Sequence, residues 1–209
     1  NLVEDQIYKA ILDYLNAGGS RQVANSELLN GATIEKDLTN DGVDEFIVEI
    51  ARGFTIYSCI NGTYQSILSW LGPGYVIIVD IKDMNRDNIP ELIVGDQVCD
   101  GHCLDTYILE WNGQELNNLI EWETLTLSNA EIIDKNYDGV PELVMSGPFP
   151  SMGNMYGYIP IRGQKDIYSW NGNTFSLSYQ EFSILEYRFQ AVQDGDREIS
   201  YTHLDKALS

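Results

Sequence analysis

Basic residues are scarce in this chain. Twelve Lys and Arg stand against thirty-two Asp and Glu, a formal net charge of -20 over 209 residues. That balance argues against binding to nucleic acid or to an anionic membrane surface, both of which would repel it. Long apolar runs are missing too: no stretch reaches the roughly eighteen residues a membrane span requires. Histidine is limited to two residues, and no Gly-x-Ser-x-Gly elbow, glycine-rich phosphate loop or His-Glu-x-x-His motif occurs. The chain is therefore read as non-enzymatic. A glycan-active hydrolase built on paired carboxylates is kept only as an outlying alternative.

Cysteine is sparse as well, with three in all. Cys99 and Cys103 lie in Cys-Asp-Gly-His-Cys, which either closes a small disulfide loop in an oxidising compartment or holds plain thiols; Cys59 is left odd. A zinc site on Cys99, His102 and Cys103 lacks a fourth ligand at suitable spacing. The chain opens at Asn1 rather than Met, the start a processed or trimmed chain would show, and this carries no information on compartment.

Apolar residues are plentiful, at 44% with 11% aromatic, so the chain is expected to fold. Its charge makes cations the natural partners, and the acids cluster in a pattern that recurs three times. The copies are Asp-Leu-Thr-Asn-Asp-Gly-Val-Asp-Glu from Asp37, Asp-Met-Asn-Arg-Asp-Asn-Ile-Pro-Glu from Asp83 and Asp-Lys-Asn-Tyr-Asp-Gly-Val-Pro-Glu from Asp134. Each runs into an apolar, β-branched stretch (Phe46 to Ile50, Leu92 to Val94, Leu143 to Met145) that reads as a buried strand. Downstream of each, a strand enters an Asn-Gly turn at Asn61-Gly62, Asn112-Gly113 or Asn171-Gly172. Every repeat thus reads as a four-stranded antiparallel meander, the unit of a propeller blade.

Calcium takes six to eight oxygen ligands, which a tight loop delivers from side chains at positions 1, 3 and 5 and a carbonyl at 7. The first copy offers Asp37, Thr39, Asp41 and the Val43 carbonyl, with Glu45 closing the shell from position 9. The second offers Asp83, Asn85, Asp87, Ile89 and Glu91, and the third Asp134, Asn136, Asp138, Val140 and Glu142. Position 6 must turn left-handed and holds Gly42, Asn88 and Gly139, residue types that reach that region cheaply. An EF-hand needs a bidentate Glu at position 12, where this chain has Val48, Val94 and Met145. Asp, Asn and Gly also make good turns without any ion, but three copies sharing the acid at position 9 favour calcium, up to three ions.

The pattern Asp-x-Asn-x-Asp-Gly-x-x-Glu followed by an apolar strand resembles the FG-GAP/VCBS repeats of integrin-α-type β-propellers, over residues 32–180. The resemblance implies calcium loops between the first two strands of each blade, repeats that serve as scaffold, and ligands bound on the loops of one face. The chain departs from that family in lacking recognisable Phe-Gly and Gly-Ala-Pro signatures, and in Thr39 and Asn88. It shows three repeats, whereas closed propellers use about four to eight blades, so it is either part of a larger array or a compact three-blade unit closed by its terminal helices.

The expected fold is therefore mostly β: an N-terminal helical cap over 1–31, three propeller-like four-stranded antiparallel blades over 32–180 (about 32–70, 75–122 and 126–180), and a C-terminal helical segment over 181–209. Ile7, Ile11, Leu12 and Leu15 fall at helical spacing and stop at Gly18-Gly19. At the other end two helices are expected, Phe182 to Val192 and Ile199 to Leu208, broken at Asp194-Gly195. The aromatic loop from Gly147 to Gly163, with Phe149, Met152, Tyr156 and Tyr158, either binds a partner or packs on a neighbouring blade. Trp111 and Trp170 read as core, and Leu71 to Tyr75 as the turn between repeats.

The functional expectation is an adhesion-like module, secreted or at the cell surface, with structural calcium and a protein or carbohydrate ligand. The alternative is a spacer or accessory domain of a larger secreted protein.

Overall fold

A computed structural model describes residues 2–21, 33–50, 52–98, 103–120, 129–148 and 162–200. Helix α1 (Leu2–Asn16) is followed by twelve strands: β1 (Thr33–Lys36), β2 (Glu45–Ile50), β3 (Gly53–Ile60), β4 (Thr63–Leu71), β5 (Tyr75–Lys82), β6 (Glu91–Val98), β7 (Cys103–Trp111), β8 (Leu116–Asn118), β9 (Asn129–Ile133), β10 (Glu142–Pro148), β11 (Gly163–Trp170) and β12 (Phe175–Phe182). Helix α2 (Arg188–Ser200) comes last. The strands form three four-stranded antiparallel sheets whose spatial order is the chain order, β1 to β4, β5 to β8 and β9 to β12. The meander expected from each repeat is what forms.

Strand alternation assigns each apolar residue to one of two faces, and the sheets stack in a row on that basis. Phe46, Val48 and Tyr57 on one face of the first sheet pack against Tyr8, Ile11 and Leu15 of α1. The opposite face sends Ile47, Phe54 and Ile56 against Leu92, Val94 and Leu109 of the second sheet. Ile93 and Ile108, on the far side of the second sheet, meet Leu143, Met145 and Tyr168 of the third. Trp70 is stacked on Phe54 and edge-on to Tyr107, joining the first two sheets. A parallel bridge between Ile120 and Phe175, with the Phe175 N–H donating to the Leu119 carbonyl at 2.6 Å, joins the second and third. The described residues form a row of three sheets and show no closed ring.

Helix α1 covers one face of the first sheet, and Asn16 at its end exchanges hydrogen bonds with the Tyr64 backbone on the edge strand β4. Tyr8, Ile11 and Leu15 lie three and four residues apart, on one stripe, and are buried. Tyr57 Oη reaches across to donate to the Tyr8 carbonyl at 2.8 Å. The helix stops at Gly18, whose φ of 87° only glycine adopts without strain.

Some local expectations change. Asn61 and Gly62 form a two-residue turn with both residues at positive φ (53° and 79°), as the hairpin rule requires. The other two Asn-Gly turns are four residues long, spanning 112–115 and 171–174, and only the glycines have positive φ. There the Asn side chain does the work: Asn112 Oδ1 accepts the Gln114 and Glu115 N–H, and Asn171 Oδ1 those of Asn173 and Thr174. Leu71 to Tyr75 is the turn between repeats, wrapped so closely on Asp96 that a Cβ at Gly72 or Gly74 would lie 2.5 Å from its carboxylate.

The C-terminal helix also differs from expectation. Phe182 ends β12, paired with Gln164, and α2 begins only at Arg188 and continues through Asp194 and Gly195. Asp194 is tied to Arg162 by an ion pair, which fixes that turn of helix against the body despite its glycine. Trp170 packs on the core between the second and third sheets, as expected, and Trp111 is half-buried.

Candidate metal centre

The three acidic loops join β1 to β2, β5 to β6 and β9 to β10, so they occupy one position in each sheet. Their backbones are alike. Position 6 is left-handed in all three, with φ of 84° at Gly42, 71° at Asn88 and 84° at Gly139, as the residue types predict. Position 4 is left-handed too, at Asn40 (57°), Arg86 (66°) and Tyr137 (62°), although Arg and Tyr give no sign of it in sequence.

Hydrogen bonds explain why the chain accepts that conformation. The Asp at position 1 accepts the N–H of position 6 in each loop: Asp37 from Gly42 at 2.9 Å, Asp83 from Asn88 at 3.1 Å, Asp134 from Gly139 at 2.9 Å. The Asp at position 5 accepts the N–H of Val43, Ile89 or Val140 at 2.8, 2.7 and 2.7 Å. The Glu at position 9, first residue of the following strand and buried in all three, reaches back to the position 2 N–H. Glu45 thus accepts from Leu38 at 2.8 Å, Glu91 from Met84 at 2.6 Å and Glu142 from Lys135 at 2.8 Å.

The loops differ in what is left over. In the first, the other Glu45 oxygen accepts from Ser58 at 3.0 Å and from Thr39 at 3.5 Å. In the third, Asn136 Nδ2 donates to Glu142 at 2.8 Å and to Asp138 at 3.0 Å, while the buried Asp134 Oδ1 has no hydrogen-bond partner. In the second, Glu91 Oε1 is the oxygen without a partner, and Glu91 is fully buried. Asp83, Asp87 and Glu91 bring one carboxylate oxygen each within 4.8 Å of one another, the one such group of three or more potential ligands among the described residues. The equivalent acids of the first and third loops do not converge to that extent.

Glu110 is a residue the sequence did not mark. It lies on β7, accepts from Asn85 Nδ2 at 3.0 Å, and its carboxyl lies beside those of Asp87 and Glu91. Burial first, then Asp87, raises its pKa above the usual carboxylate range. Burial likewise pushes the Glu91 carboxyl up to about 8, and the neighbouring Asp87 and Glu110 charges add to the rise. No pattern of spacing would have found Glu110, because a cross-strand partner depends on register; its signal is the acid next to Trp111 where the other repeats have Ser58 and Ser169.

Other sequence-derived sites are only partly covered. Phe149, Met152, Tyr156 and Tyr158 lie outside the described residues, as does Cys99 of the Cys99 and Cys103 pair. Cys59 is a free, half-buried thiol. No helix among the described residues is long and apolar enough to cross a membrane. In comparisons with known proteins, no family model matches this chain, and no curated protein matches it either.

Proposed function

We propose that this chain is a calcium-binding β-repeat module of the FG-GAP/VCBS kind, placed outside the cell or at its surface, whose ions are structural and whose loops meet a protein or carbohydrate ligand. The observation that carries the metal reading is the second loop. Three carboxylates converge there, and one oxygen of the fully buried Glu91 is without a hydrogen-bond partner. A buried, unsatisfied carboxylate is costly until a proton or a cation neutralises it.

The donor set suits calcium. Every predicted ligand atom is an oxygen, from Asp, Glu, Asn, Thr or a backbone carbonyl, and hard oxygen shells select calcium or magnesium over zinc. Calcium tolerates the irregular, carboxylate-rich shell such a loop supplies, while magnesium demands a near-octahedral one. Three divalent ions would bring the formal charge from -20 to -14 and relieve self-repulsion. The binding role of the loops is supported by the resemblance to the FG-GAP/VCBS repeats.

Thermal unfolding in excess EDTA, in millimolar calcium and in millimolar magnesium tests the reading. An ion that binds only the folded state raises the melting temperature by mass action. The expected result is a calcium-specific rise that shrinks in Asp83→Ala; identical melting in EDTA and calcium would remove the reading's support. A glycan array and a pull-down, each run with the intact chain and with residues 149–158 deleted, test the ligand role.

A further inference from the structure

Cross-strand register sets the middle loop apart from the other two. Leu92 pairs with Leu109, so one step along the ladder Glu110 stands across from Glu91. The same step from the pair of Phe46 and Tyr57 puts Ser58 across from Glu45, and from Leu143 and Tyr168 it puts Ser169 across from Glu142. Two blades thus place a small hydroxyl beside the position 9 carboxylate. The middle blade places a second carboxylate there.

With neither a cation nor a bound proton that arrangement is unfavourable. Like charges directly opposite on adjacent strands repel, and Asp83 and Asp87 already crowd Glu91. One amide, Asn85 Nδ2, bridges part of the group, donating to Glu110 at 3.0 Å and to Asp87 at 3.3 Å. The loop's own cation turns away, since the Arg86 guanidinium donates to the Asp138 and Gly139 carbonyls. The ion pairs among the described residues, Arg21 with Glu35, Lys135 with Glu181 and Arg162 with Asp194, lie elsewhere. Glu91 meanwhile keeps one buried oxygen free of any hydrogen bond.

We propose that Glu110 is the fourth carboxylate of the middle metal site, and that it makes the Asp83 loop the tightest calcium site of the three. The proposal rests on reading the loops as calcium sites. Calcium affinity rises with the charge of the ligand set. The middle loop brings four carboxylates, from Asp83, Asp87, Glu91 and Glu110, against three in each of the others.

Calorimetric calcium titration of the intact chain and of Glu110→Gln, Glu110→Ser and Asp83→Ala is the test. In Glu110→Gln, and in Glu110→Ser, which copies the other blades, the tightest step weakens by about 10- to 100-fold while the weaker steps are unchanged. Melting in EDTA gives a second readout. Glu110→Gln relieves repulsion, so it melts in EDTA no lower than the native chain yet gains less from calcium; a residue with only a structural role would lower melting in both conditions. If the Glu110→Gln isotherm overlays the native one while Asp83→Ala loses a step, the inference falls and the calcium reading stands. If the native chain takes up no calcium, both fall.

Discussion

Arg86, at the fourth position of the second acidic loop, donates from Nε to the carbonyl oxygen of Gly139, at the sixth position of the third loop, at 3.0 Å. Its Nη2 reaches the Asp138 carbonyl at 2.8 Å, so one side chain braces two loops of neighbouring blades. A Cβ on Gly139 would lie 1.7 Å from that Nη2, whereas a Cβ on Gly42 in the first loop would meet nothing within 4 Å. Both glycines have φ of 84°.

Gly42→Ala is therefore expected to cost about 1–2 kcal/mol, the left-handed strain alone. Gly139→Ala costs more, because Arg86 must also leave its carbonyl partners. In an Arg86→Ala background the two substitutions converge. Urea unfolding of the four variants measures this, and equal costs in the native background would show that the Arg86 brace contributes nothing.

Tyr137 is 91% exposed yet has φ of 62°. Its ring is largely exposed while its backbone is strained, so Tyr137→Asn, a residue that tolerates this conformation, is expected to stabilise the chain by about 0.5–1 kcal/mol. Asn40 already occupies the matching position of the first loop. Chemical denaturation with and without calcium checks it; a loss of stability would place Tyr137 in a contact that matters.

The raised Glu91 carboxyl gives a pH dependence with a definite sign. Its folded value of about 8 lies above the ordinary 4.5, so between these limits the folded, calcium-free chain holds a proton the unfolded chain has lost. This contribution to stability is full below 4.5 and fades as pH rises through about 8. Calcium binding near neutral pH should then release a proton, seen as a dependence of the binding heat on buffer ionisation enthalpy. No such dependence, or one that survives Glu91→Gln unchanged, would contradict the assignment.

Ile11 is 1% exposed between α1 and the first sheet. Ile11→Ala is expected to cost about 2–5 kcal/mol by transfer and cavity terms. If α1 instead frays from the sheet, the apolar face of Phe46, Val48 and Tyr57 becomes exposed and the variant should bind a hydrophobic dye.

The repeats were legible because each loop fixes its own shape locally: Asp at position 1, Gly or Asn at position 6 and Glu at position 9 all make bonds within nine residues of chain. The strands around them followed from apolar alternation. What was hidden depends on context. Arg86 and Tyr137 take a left-handed backbone that their side chains do not favour, held by loop hydrogen bonds. Glu110 joins the middle site through strand register, which no linear pattern of ligands encodes. Gly195 reads as a helix breaker, yet α2 runs through it, with the adjacent Asp194 paired to Arg162.

Equilibrium dialysis, with bound ion counted by atomic emission, tests whether the acidic loops hold calcium. Between one and three calcium ions per chain are expected, with one fewer in Asp83→Ala. A native chain that retains no calcium at millimolar free concentration would contradict the calcium reading.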